Sequence, residues 1–123
     1  MFWIKLAAFF NLSFGVFHLF FWKVLKWKEQ LMLVSTTNRA VIQTLNICLA
    51  FLFFLISYIF YFHFNEVLTT AIGNVLLLGI ALFWSIRVVA QIYFFNLKER
   101  IHQLLLILFI AGIVIHIIPI FNT

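Results

Sequence analysis

Charge is absent from four long stretches of the chain, residues 6–22, 40–65, 67–86 and 101–123, all rich in Phe, Leu and Ile. Each reaches or approaches the ~20 residues an α-helix needs to cross a hydrocarbon core about 30 Å thick. Backbone polar groups cannot stay unpaired in lipid, so stretches of this length read as helices. The short alternating strands of a membrane β-barrel do not occur. The pattern predicts spans at 2–27, 40–63, 66–96 and 101–120. The second opens after Ser35-Thr36-Thr37-Asn38, a run of residues that cap helix N-termini. The expected fold is all-α: one integral membrane domain over 1–123, a four-helix bundle running up-down-up-down.

Composition agrees. The chain is 67% hydrophobic and 9% charged, where soluble domains run near half and a quarter. A soluble chain of 123 residues could not hide so much apolar surface. The first stretch follows Lys5, as a signal peptide's apolar region would. Its Phe- and Trp-rich sequence continues to Trp22 with no small-residue cleavage site, so it reads as a retained helix. Cys48 is the one cysteine, which allows no intrachain disulfide and no cysteine metal site. It reads as a small buried apolar residue.

The net charge of +5 is distributed in a way that argues against nucleic acid. Lys23, Lys26, Lys28 and Arg39 fall in the first connection, Lys98 and Arg100 in the third, and the second holds Glu66. The positive-inside rule puts the first and third connections in the cytoplasm and both termini on the non-cytoplasmic side. Lys5 is the one dissenting cation. The expected location is the plasma (inner) membrane of a bacterium, as a multi-pass protein. Its lipid partners are the bilayer and anionic headgroups at Lys23, Lys26, Lys28, Lys98 and Arg100.

A helix turns 100° per residue, so spacings of three, four and seven share a face. Asn11, Gly15, His18 and Trp22 line up on the first helix. Arg39, Gln43, Asn46, Ala50 and Ser57 line up on the second. The third aligns Gly73, Ile80, Trp84, Arg87, Gln91 and Lys98, and the fourth Gly112, His116 and Pro119. Small and polar residues favour helix–helix contact in membranes, which suffices for the glycines and Ser57. By helical rise, His18, Gln43, Asn46, Arg87 and Gln91 all lie roughly 6–14 Å inside the cytoplasmic boundary.

Arg87 is the sharpest signal. A charge at the bilayer centre costs ~2.5–3.5 kcal/mol on insertion scales. The only acids, Glu29, Glu66 and Glu99, lie in or beside connections. Three readings stand open: snorkelling to headgroups, packing against Gln and Asn carbonyls, or an anionic ligand, which the guanidinium fork suits. His18 is a candidate general base. His18 and His102 lie toward one side, His63 and His116 toward the other, and paired histidines across a bundle can ligate haem.

Arg39-Ala-Val-Ile-Gln43-Thr-Leu-Asn46 resembles the Arg-x-x-x-Asn-x-x-Glu signature of the four-span MAPEG proteins (membrane-associated proteins in eicosanoid and glutathione metabolism), with Gln43 for the Asn and Asn46 for the Glu. Arg87-Val-Val-Ala-Gln91-Ile-Tyr93, followed by Lys98 and Arg100, is similar to that family's third span. The likeness covers the four-span layout and about twenty residues. It implies a homotrimer with sites between subunits on the cytoplasmic side, lined by Arg39, Gln43, Asn46, Arg87, Tyr93 and Arg100, with glutathione as the family's co-substrate. The family's carboxylate helps hold glutathione, and Asn46 in its place departs from that chemistry.

The functional expectation is a polar, anion-accepting pocket in the cytoplasmic half, serving a lipophilic substrate or an anionic co-substrate. The ligand-binding set is Arg87, Gln91, Gln43, Asn46, Arg39, Tyr93 and Arg100. The alternative is a non-catalytic subunit of a larger membrane complex. A small transporter ranks lower, because the outer halves of the stripes are mostly apolar. Haem-mediated electron transfer ranks below that. No residue pattern demands a cofactor.

Overall fold

The computed structural model describes residues 1–122 and is all-α. Thr123, the last residue of the fourth apolar stretch, lies outside the described residues. In chain order the helices are α1 (Phe2–Leu19), α2 (Phe21–Val24), α3 (Trp27–Gln30), α4 (Thr36–Phe62), α5 (Phe64–Thr69), α6 (Ala71–Phe94) and α7 (Arg100–Phe121). A 3-10 turn, Leu31–Leu33, follows α3. Helices α1, α4, α6 and α7 are long and apolar enough to cross a membrane. With 18, 27, 24 and 22 residues they span about 27–40 Å.

Two expected helices are broken. The apolar pattern carries the first to Trp27, but α1 stops at Leu19, where the Phe20 N–H turns to the Phe17 carbonyl. The chain then folds back through Lys26, which adopts φ 53, a left-handed conformation, without a glycine. That conformation costs about 1–2 kcal/mol. Packing offsets it: Trp27 is buried, its ring 5.6 Å from Phe21 and 6.4 Å from Trp22. The Arg39 Nε–H donates to the Leu31 carbonyl at 2.9 Å and ties the segment to α4. Helix α4 itself starts at Thr36, earlier than its apolar run, with Ser35 Oγ accepting the Asn38 N–H.

The third expected helix, 66–96, is α5 followed by α6. Thr70 caps α6, its Oγ1 accepting the Gly73 N–H at 3.1 Å and donating to the Glu66 carbonyl at 2.6 Å. Gly73 is buried, and a Cβ there would overlap the Val67 backbone. A side chain on residue 73 would prevent this close approach of α5 and α6.

The chain divides into two compact units, Ala8–Tyr58 and Met1–Ala7 with the chain from Ile59 onward. In the first, α1 and α4 run antiparallel. Ser57 Oγ donates to the Ala8 carbonyl at 2.7 Å, and Asn46 Nδ2 donates to the His18 carbonyl at 3.0 Å. Phe14 and Phe53 meet between them, and Gly15 lets the Phe54 ring approach α1. The α4 stripe is Gln43, Asn46, Ala50, Phe53 and Ser57, the alternating three–four spacing of interlocking helices. Cys48, expected to be buried, is exposed on the opposite side of α4. Trp22, which helical spacing places on the α1 stripe, is also exposed.

In the second unit α6 and α7 are an antiparallel pair. The rings of Trp84 and Phe109 stack with centroids 5.5 Å apart. Buried positions on α6 are Gly73, Leu77, Ala81, Trp84 and Gln91, so Leu77 and Ala81 occupy the seam in place of Ile80. On α7 they are Phe109, Gly112, His116 and Pro119. At the far end of this unit the Lys5 ammonium lies 4.2 Å from the Tyr61 ring centroid and 4.9 Å from that of Phe64. The cation that dissents from the charge rule thus rests on aromatic faces. The outward side of α6 carries Ile72, Val75, Leu82, Ile86 and Val89, all exposed, an apolar face suited to lipid.

Candidate functional site

The sequence-predicted site residues fall in both units. His18, Arg39, Gln43 and Asn46 belong to the first, and Arg87, Gln91, Tyr93 and Arg100 to the second.

In the first unit the polar side chains bind backbone. His18 Nδ1 lies 2.8 Å from the Phe14 carbonyl. A carbonyl only accepts, so Nδ1 carries the proton of this bond. The ring stacks on Phe21 at 4.4 Å and tilts against Phe53 at 5.3 Å. Asn46 donates to the His18 carbonyl, one of the carbonyls orphaned where α1 ends. Gln43 Nε2 donates to the Arg39 carbonyl one turn back, and Arg39 donates to Leu31. These donors fix a helix end and a loop.

The second unit is different. Arg87 lies one turn past buried Trp84 and one turn before Gln91 on α6. Its guanidinium carbon sits 4.3 Å from the Phe109 ring centroid and 5.5 Å from that of Phe95. Phe95 is two turns further along, so the side chain runs toward the α6–α7 turn. Among the described residues the guanidinium has no hydrogen bond and no ion pair. Glu99, the acid nearest in sequence, faces His102 instead, at 3.6 Å. The ring faces hold the charge but accept none of its five N–H donors in the plane of the fork.

Gln91 is fully buried, with 0% of its surface exposed. Its Nε2 donates to the His102 carbonyl across the helix pair at 3.1 Å, which fixes the orientation of the amide. The other end, Oε1, is buried with no hydrogen-bond partner. His102 is held by Nδ1 on the Asn96 carbonyl at 2.9 Å, with the Phe95 ring at 5.1 Å. Lys98 N–H donates to Asn96 Oδ1 and Gln103 Nε2 to the Leu97 carbonyl, so the turn is tightly bonded. Arg100 is exposed beside it. Tyr93 is 80% exposed, on the outward face of α6 with Leu82, Ile86 and Val89, so it is not grouped with Arg87 and Gln91.

Phe109 and Phe95 are site residues that sequence reasoning missed. By composition alone Phe109 belongs to the lipid-facing background. A signal is nevertheless present: it extends the Gly112, His116, Pro119 stripe back by one turn. Among the described residues no group of three or more His, Cys, Asp or Glu is placed to hold a metal ion. No family model, curated protein or solved structure matches this chain.

What the α6–α7 turn can do follows from its chemistry. It offers a cation with unused donors, held over aromatic rings, and, one helical turn along α6, a buried acceptor without a donor.

Proposed function

We propose that this multi-pass membrane protein binds the anionic group of an amphiphilic ligand at Arg87, at the α6–α7 turn. The observation that carries the reading is the guanidinium itself, held over Phe109 with no acceptor for its N–H groups. A half-buried charged donor set without partners is costly, and a carboxylate or phosphate would satisfy it bidentately. The charge distribution supports a cytoplasmic position for this turn, beside Lys98 and Arg100. The exposed apolar face of α6 suits a ligand that arrives from the bilayer.

The Arg39…Gln43…Asn46 and Arg87…Gln91…Tyr93 resemblance supports including glutathione, an anionic tripeptide, among the soluble anions tested, and a homotrimer among the assembly states. A carboxylate from a partner helix would serve Arg87 by the same chemistry, as in a subunit of a larger complex.

The test is native mass spectrometry of the purified protein with anionic and zwitterionic amphiphiles, comparing wild type, Arg87→Lys and Arg87→Leu. Wild type is expected to retain the anionic species selectively, Arg87→Lys more weakly, and Arg87→Leu at least tenfold less. Equal retention by folded Arg87→Leu would overturn the reading. Co-purification of a protein bearing an intramembrane acid would replace it with the subunit role.

A further inference from the structure

Resting on that reading, the geometry points to a ligand class: we infer that Arg87 and Gln91 together recognise a phosphate ester that also carries a hydrogen-bond donor, a hydroxyl or an ammonium, next to the phosphate.

The inference starts from two complementary deficits. Arg87 has donors and no acceptor. Gln91 Oε1 is an acceptor with no donor, and its amide cannot simply flip, because Nε2 is committed to the His102 carbonyl. The two stand one turn apart on α6, and Phe95 follows one turn beyond Gln91, just past the helix end. The guanidinium lies over both Phe109 and Phe95, and so runs past the turn that carries Gln91. A simple anion would satisfy Arg87 and leave the buried carbonyl as it was. A ligand with an anionic oxygen and a donor a few bonds away satisfies both. A buried acceptor left without a donor is expensive, so the second contact adds discrimination as well as affinity.

Phosphate fits the position better than carboxylate. A phosphodiester stays ionised in a low-dielectric setting, where a carboxyl group tends to take up a proton. Phosphate is also the anion of bilayer headgroups, the side toward which the Arg87 side chain runs. Two sources share the chemistry, a phospholipid headgroup and a soluble phosphate ester such as glycerol phosphate.

The experiment uses the full chain in nanodiscs or detergent and four probes: phosphatidylglycerol, phosphatidylmethanol, glycerol 3-phosphate and a fatty acid. Phosphatidylmethanol has the same charge as phosphatidylglycerol but no headgroup hydroxyl. Wild type is expected to prefer phosphatidylglycerol over phosphatidylmethanol by about tenfold. Gln91→Leu should bind the two equally, and Gln91→Glu, whose carboxylate would occupy Arg87 and repel the phosphate, should weaken both. Arg87→Leu should lose both. Displacement of the lipid by glycerol 3-phosphate would assign the soluble source; its failure to displace would assign the lipid. Equal binding of both lipids by wild type, with dependence on Arg87, would overturn the inference and leave the anion site standing. Preference for the fatty acid would also overturn it. Binding indifferent to Arg87 would remove both.

Discussion

The Arg87 guanidinium carbon lies 4.3 Å from the centroid of the Phe109 ring, so the one charge inside the α6 span rests on an aromatic face of α7. Contacts of this kind are worth about 0.5–2 kcal/mol, rising as water is excluded. A double-mutant cycle with Phe109→Leu and Arg87→Leu should therefore give a coupling of about that size. Leucine keeps most of the burial, and the Trp84–Phe109 stack is lost equally in both arms of the cycle. Coupling near zero in detergent unfolding would mean the ring does not hold the cation.

Two glycines on α6 should respond in opposite directions. Alanine at Gly73 would drive a Cβ into the Val67 backbone, which cannot rotate away as a side chain could. Gly73→Ala should cost about 1–3 kcal/mol, the usual range for overpacking. A Cβ on Gly79 would meet nothing within 4 Å, so Gly79→Ala should stabilise by up to about 1 kcal/mol. Thermal unfolding of the two variants checks the sign of each.

Asn46 and Ser57 each donate one hydrogen bond from α4 to a carbonyl of α1, about three turns apart. Bonds of this kind within membranes average about 0.6 kcal/mol and reach about 1.7. Asn46→Ala and Ser57→Ala should each destabilise by that order, and the double variant should be additive within about 0.5 kcal/mol. Asn46→Ala should additionally speed hydrogen exchange at the end of α1, because an orphan carbonyl there loses its partner.

The spans are legible in the sequence because a long uncharged run has few alternatives in lipid. Their breaks are not. No glycine or proline marks the end of α1 or the left-handed turn at Lys26. Those features are set by Trp27 packing on Phe21 and by Arg39 reaching Leu31, contacts between residues far apart on any helical pattern. The same difference runs through the site. Arg87 is legible as a charge in an apolar run. Phe109 is not, since one Phe among 18 carries no contrast. The spacing of Arg39, Gln43 and Asn46 puts them on one face of α4. Gln43 bonds back within α4, while Arg39 and Asn46 reach backbone carbonyls because α1 ends at Leu19 and the chain folds back, and neither event is written in that spacing.

Charge distribution makes a prediction about orientation. With Lys23, Lys26, Lys28, Lys98 and Arg100 in the first and third connections, both termini should face away from the cytoplasm. A C-terminal alkaline phosphatase fusion expressed in bacteria should be active, and the equivalent green fluorescent protein fusion dark. The reverse pattern would place the α6–α7 turn on the opposite side and reverse the entry route for the anion.

The most direct measurement is a high-resolution structure of the protein in a lipid bilayer, read for density beside Arg87. A phosphate or carboxylate within about 3 Å of the guanidinium nitrogens is expected, in addition to the ring contacts with Phe109 and Phe95. A guanidinium surrounded only by hydrocarbon and aromatic rings, or one paired to a carboxylate from another protein, would contradict an anion-binding site.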